Sequence, residues 1–83
     1  MSFGKYIKRS REALADSGSG YSLRKVAAAI EVEPSFLSKV ERDLVSPPSE
    51  AKIVALADYL EEDPDVLLAM AGKVSSDLQE IIR

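Results

Sequence analysis

Apolar residues along this 83-residue chain recur at helical spacing, and they do so in separated bursts. Phe3, Tyr6, Ile7, Ser10 and Leu14 fall on one face of a helix predicted over about 3–16, with Lys5, Lys8, Arg9 and Glu12 towards solvent. Arg11 lies beside the apolar stripe, an odd place for a charge unless it has a partner. Leu23, Val26, Ala27 and Ile30 mark a second helix over 22–30, and Leu37 and Val40 a third over 34–42. Small Ala27 sits where those two helices would cross. Ile53, Leu56, Ala57 and Leu60 mark a fourth over 50–61, and Val66, Leu67, Leu68, Met70 and Ala71 a fifth that is apolar over most of its surface. Such a surface predicts either a dimer contact or a central core helix. A last segment, 77–83, carries Leu78, Ile81 and Ile82 on one side. No strand pattern and no internal repeat is present.

The breaks between bursts carry matching local chemistry. Ser17-Gly18-Ser19-Gly20 ends the first helix in a flexible loop, from which Tyr21 is expected to pack back onto the core. Ser22, Ser49 and Asp63 stand at N-cap positions. Pro34 and Pro64 suit a first helical turn, where no backbone donor is needed, and Pro34 puts Glu33 in a cap slot. Pro47-Pro48 blocks the third helix from continuing, and Gly72 closes the fifth. Met1 and Ser2 read as a loose end.

Composition narrows the chemistry. The chain lacks cysteine and histidine, which excludes a disulfide scaffold, a zinc knuckle, a Cys/His pair and a Ser-His-Asp triad. No apolar run approaches a bilayer span and no signal-peptide pattern opens the chain, so a soluble cytoplasmic protein is expected. Net charge is −3, but it is unevenly placed. Residues 1–42 hold eight basic and five acidic side chains; residues 43–83 hold three basic and nine acidic. A basic front and an acidic back suit a protein that presents one side to DNA. The only carboxylate cluster, Asp58, Glu61, Glu62, Asp63 and Asp65, has no phosphate-cradling glycine loop beside it. An enzyme is therefore not expected, and no metal or cofactor is implied.

Residues 22–42, SLRKVAAAIEVEPSFLSKVER, thus read as two short helices around a tight bend, the pattern of a helix-turn-helix. Together with Phe3-Gly4-x-x-Ile7-Lys8-x-x-Arg11-Glu12, Pro48-Ser49 and the acidic Pro-Asp-x-Leu-Leu stretch at 62–68, this resembles the Cro/XRE (lambda-repressor-like) family over about residues 3–72. The resemblance implies an all-α, compact five-helix domain over 1–72; beyond it, the apolar side of the last segment marks 73–83 as a C-terminal helical extension and candidate dimer arm. It implies a sequence-specific transcriptional regulator, most simply a repressor, that binds double-stranded operator DNA as a homodimer. It also implies that Arg11 and Glu41 form a structural ion pair between the first and third helices. Departures are visible. Glu31 and Asp43 replace customary glycines, Leu23 replaces a customary phosphate-binding glutamine, and the first interhelix loop is long.

On the docking geometry of such motifs, Ser35, Phe36, Ser38 and Lys39 are the candidate base contacts. Lys39 can donate to guanine, and Phe36 either touches a thymine methyl or packs inward. Ser22, Arg24 and Arg42 are the candidate phosphate contacts. Glu31 and Glu33 lie near that face and would repel phosphate, unless Glu33 accepts from a cytosine amino group. Val66, Leu67, Met70, Leu78 and Ile81 are the candidate dimer interface. A competing reading, supported by the acidic half and the fifth helix, is a protein-interaction module that acts through a partner protein.

Overall fold

The computed structural model describes residues 1–73; the expected extension, including Leu78 and Ile81, lies outside the described residues. Five helices follow in order: α1 (Phe3–Ser17), α2 (Leu23–Ala29), α3 (Pro34–Glu41), α4 (Glu50–Tyr59) and α5 (Pro64–Met70). No strand occurs among the described residues. Four helices begin at a side-chain cap. Ser2, Ser22 and Ser49 accept from the backbone N–H three residues on, and Asp63 from that of Asp65. Each such bond satisfies one of the orphan donors of a helix start. The exception is α3. Glu33 holds its cap position but makes no side-chain cap bond, and Pro34 follows it.

The helix ends share one device. Behind α2, α3, α4 and α5 the chain turns through a left-handed residue, and two backbone N–H groups reach back to the last turn. After α2, Glu31 N–H donates to the Ala28 carbonyl (3.1 Å) and Val32 N–H to that of Ala27 (2.9 Å). The same pair of bonds closes α3, α4 and α5. Glycine fills the left-handed position only after α5, as Gly72. Elsewhere it is Glu31 (φ 59°), Asp43 (φ 58°) and Glu61 (φ 58°), where a Cβ costs about 1–2 kcal/mol.

Every helix sends apolar side chains to one core: Phe3 and Ile7, Val26 and Ala27, Leu37 and Val40, Ile53, Leu56 and Ala57, and Leu67 and Leu68. Ile30 and Leu60, just past α2 and α4, complete it. The helix pairs in most extensive contact are α4 with α5, α1 with α3, α2 with α3, and α2 with α4. Tyr21 packs at the edge of this core with its ring centroid 5.5 Å from that of Tyr59, whose hydroxyl donates to the Gly20 carbonyl at 2.6 Å. The long first loop is thereby pinned to α4.

Two expectations need correction. Leu67, assigned to a dimer contact, is fully buried within its own chain and belongs to the core. The apolar circumference of α5 is split: Leu67 and Leu68 face inward, Met70 is half-buried, and Val66 is 44% exposed. Ser2 is no loose end. Its hydroxyl accepts from Lys5 N–H and donates to the Asp43 carboxylate at 2.6 Å.

Candidate nucleic-acid interface

The α2–turn–α3 unit is held from three sides. Behind α3, Arg11 of α1 meets Glu41 in a two-pronged ion pair, Nε to Oε2 at 2.7 Å and Nη2 to Oε1 at 2.9 Å. Both side chains are largely removed from solvent, at 12% and 6% exposure. Arg11 Nη1 also donates to the Tyr21 carbonyl at 3.2 Å, which ties the first loop into the same contact. The guanidinium pKa is raised, first by the hydrogen bond to Glu41 and further by its charge, against a burial that acts the other way. A charge beside the apolar stripe of α1 is thus explained by its partner.

At the far end of α3, its C-terminus meets the N-terminus of α1. Asp43 accepts from the Gly4 N–H at 3.0 Å and from Ser2, so a carboxylate faces the positive end of α1. Gly4 is needed for this approach. A Cβ there would stand 2.8 Å from the Glu41 carbonyl oxygen and closer still to that of Val40. At the bend, Lys52 of α4 donates from Nζ to the carbonyls of Ile30 (2.8 Å) and Glu31 (3.4 Å). A cation at the C-terminus of α2 offsets its dipole and satisfies carbonyls exposed by the turn.

With its back fixed, α3 presents a front. Ser35 and Lys39, four residues apart, are both exposed and share one face. Ser38 and Phe36 are half-buried, and Phe36 packs against the core, so only part of its ring faces outwards. Ser22 and Arg24 are exposed at the start of α2. Ser22 is anchored there by its cap bond from Lys25 N–H, at 3.2 Å. Arg42 is exposed, and its Nε donates to the Ser38 carbonyl at 3.3 Å, which lays the guanidinium along α3. Glu31 and Glu33 are exposed at the bend and the start of α3. The front is therefore a mixed surface in which Lys39, Arg24 and Arg42 carry positive charge and two glutamates oppose it.

Asp43, Lys52 and Gly4 position this unit, and their roles here were not visible in periodicity. Asp43 and Lys52 act through backbone groups distant in sequence. Gly4 carries no side chain to give a pattern. Among the described residues no group of acidic side chains could hold a metal ion, and no helix is long and apolar enough to cross a membrane.

No curated protein and no solved structure matches the chain. A family model described as a helix-turn-helix domain matches residues 2–70, which takes in all five helices. With the second helix of the pair turned outwards and braced from behind, fold and family model agree: the chain belongs to the helix-turn-helix domain family, a family of the Cro/XRE-like DNA-binding type.

Proposed function

We propose that this protein is a sequence-specific transcriptional regulator, a repressor, that binds an inverted-repeat operator as a homodimer, with no enzymatic step of its own. The observation that carries the reading is the pairing on α3 of an exposed Ser35–Lys39 face with a back fixed through Glu41. Lys39 and Ser35 read base edges, with Ser38 and the exposed part of Phe36 at the groove wall. Ser22, Arg24 and Arg42 hold phosphates and set the register without reading sequence. The front is thin, so one unit binds weakly and two are needed. Val66 and Met70 offer the apolar contact between subunits, and the half-sites then lie about 34 Å apart along the duplex. The site of action is wherever the chromosome lies, the cytoplasm in a cell without a nucleus.

Selection of bound sites from random DNA, followed by titration of the winning site, tests this. Lys39→Ala should cost about 1–3 kcal/mol and relax preference at one position per half-site. Arg42→Ala should weaken all sequences alike and lower the salt slope by about 1. Binding that is indifferent to salt, or that survives Lys39→Glu, overturns the DNA reading. A reporter placed behind the selected operator separates repression from activation.

A further inference from the structure

Among the described residues, one apolar face is used neither by the core nor by the DNA reading. The sequence of α4, EAKIVALADY, is apolar on two sides. Ile53, Leu56 and Ala57 turn inward and are buried. Ala51, Val54, Ala55 and Asp58 repeat the three-one-three spacing on the opposite side and are exposed, Val54 to 41%. A helix apolar all round normally has cover on both sides. With Glu62 and Pro64, this second stripe lines an open groove of about 390 Å³.

The lining narrows the occupant. Its charged side chains are Asp58, which is exposed, and Glu62, whose carboxylate also accepts from Tyr6 and Ser10 of α1, and among the described residues no lysine or arginine lines it. Glu61, Asp63 and Asp65 follow in the adjoining turn and first turn of α5. The one lysine of α4, Lys52, is turned away to the Ile30 and Glu31 carbonyls. A second copy of this chain fits poorly. Two-fold pairing of the stripe on itself in the parallel sense sets Asp58 against Asp58, and like charges facing each other are costly. Ala51 and Ala55, one turn apart, leave room for a helix backbone to come close to a shallow apolar floor.

We propose that the outer face of α4 docks an amphipathic helix of another protein, whose apolar stripe covers Val54, Ala51 and Ala55 and whose lysines or arginines meet Asp58 and the carboxylates beyond it. This is the helix-in-groove mode of recognition, with charge fixing the direction of the incoming helix. The groove contains no residue of α2 or α3, so the docked helix and DNA occupy separate surfaces. The inference does not depend on the DNA reading.

The test is a nitrogen-15 NMR titration of the full chain with a synthetic 18-residue peptide that carries leucine and alanine on one helical face and lysine on the others. A scrambled peptide of the same composition and charge is the control. Shift changes should centre on Ala51, Val54, Ala55 and Asp58 and be absent with the scrambled peptide. Val54→Asp and Asp58→Lys should each weaken binding at least about tenfold, or 1.4 kcal/mol, with the remaining resonances in their native positions. Equal shifts from both peptides, shifts centred elsewhere, or variants that bind as tightly as the parent overturn the proposal. So does concentration-dependent self-association that Val54→Asp abolishes, since the face then belongs to a second copy. DNA affinity, measured separately on the same preparation, decides the other reading by itself.

Discussion

Replacing Gly4 by alanine sets two general rules against each other. Inside a helix, glycine to alanine ordinarily stabilises by about 1 kcal/mol, because the unfolded chain loses freedom and the helix gains a good former. At Gly4 the new methyl would press on the carbonyl oxygens of Val40 and Glu41 and lie 2.5 Å from Asp43 Oδ1. The carboxylate can rotate away, at the loss of its bond to the Gly4 N–H. The two carbonyls cannot move without moving the C-terminal turn of α3. Overpacking of this kind costs about 1–3 kcal/mol, and loss of a charge-assisted hydrogen bond about 1.5–3 kcal/mol. After the helix-propensity gain, a net loss of about 2 kcal/mol or more remains. In a domain of this size that lowers Tm by roughly 8–16 °C. Urea or thermal unfolding followed by far-UV circular dichroism reads it directly. Gly18→Ala is the comparison, since nothing lies within 4 Å of a Cβ there and its backbone is extended; it should be neutral. A Gly4→Ala protein as stable as the parent, or more stable, refutes the close α1–α3 approach.

Other substitutions probe the remaining braces. Arg11→Met or Glu41→Leu alone should cost about 3–5 kcal/mol by stranding one buried charge, whereas the double variant should recover most of it in a double-mutant cycle. Glu31→Gly and Glu61→Gly should each stabilise by about 0.5–1 kcal/mol through relief of left-handed backbone, read as a higher urea midpoint. Asp43→Gly should instead destabilise, because its carboxylate holds Ser2 and Gly4. The Tyr6 hydroxyl donates to Glu62 at 2.8 Å, and this bond, then burial and the carboxylate's charge, raise its pKa above 10. Its contribution is therefore full below pH 10 and lost as pH rises through the higher folded value. Ultraviolet titration should lose a component above pH 10 in Tyr6→Phe; an unchanged curve contradicts the contact.

Much of this was legible from residue types and spacing. The five helices, the caps at Ser22, Ser49 and Asp63, most of the buried faces and the lone Arg11 follow from local rules that the fold obeys; the cap at Ser2 was missed. The left-handed strain at Glu31 and Asp43 was also readable, as a departure from the customary glycines. The bonds that cross the chain were not. Glu62 accepts from both Tyr6 and Ser10 of α1, and Lys52 reaches the α2–α3 bend, but neither pairing leaves a trace in periodicity. Leu67 was misplaced because an apolar helix does not say which of its sides is covered. The exposed stripe of α4 escaped for the same reason: its inner face alone satisfied the pattern.

The separation of front and back on α3 has a consequence for how such a domain diversifies. Leu37, Val40 and Glu41 fasten the helix, while Ser35 and Lys39 stand exposed on its other side, and the Lys39 main-chain carbonyl accepts from Leu44 N–H. If Ser35 and Lys39 read bases as proposed, spelling and mounting are written in different letters of the same eight-residue word. On the proposed reading, new operator preferences can be tried at positions 35 and 39 without renegotiating stability, and a grafted α3 needs to keep only its inward-facing letters to sit where this one does.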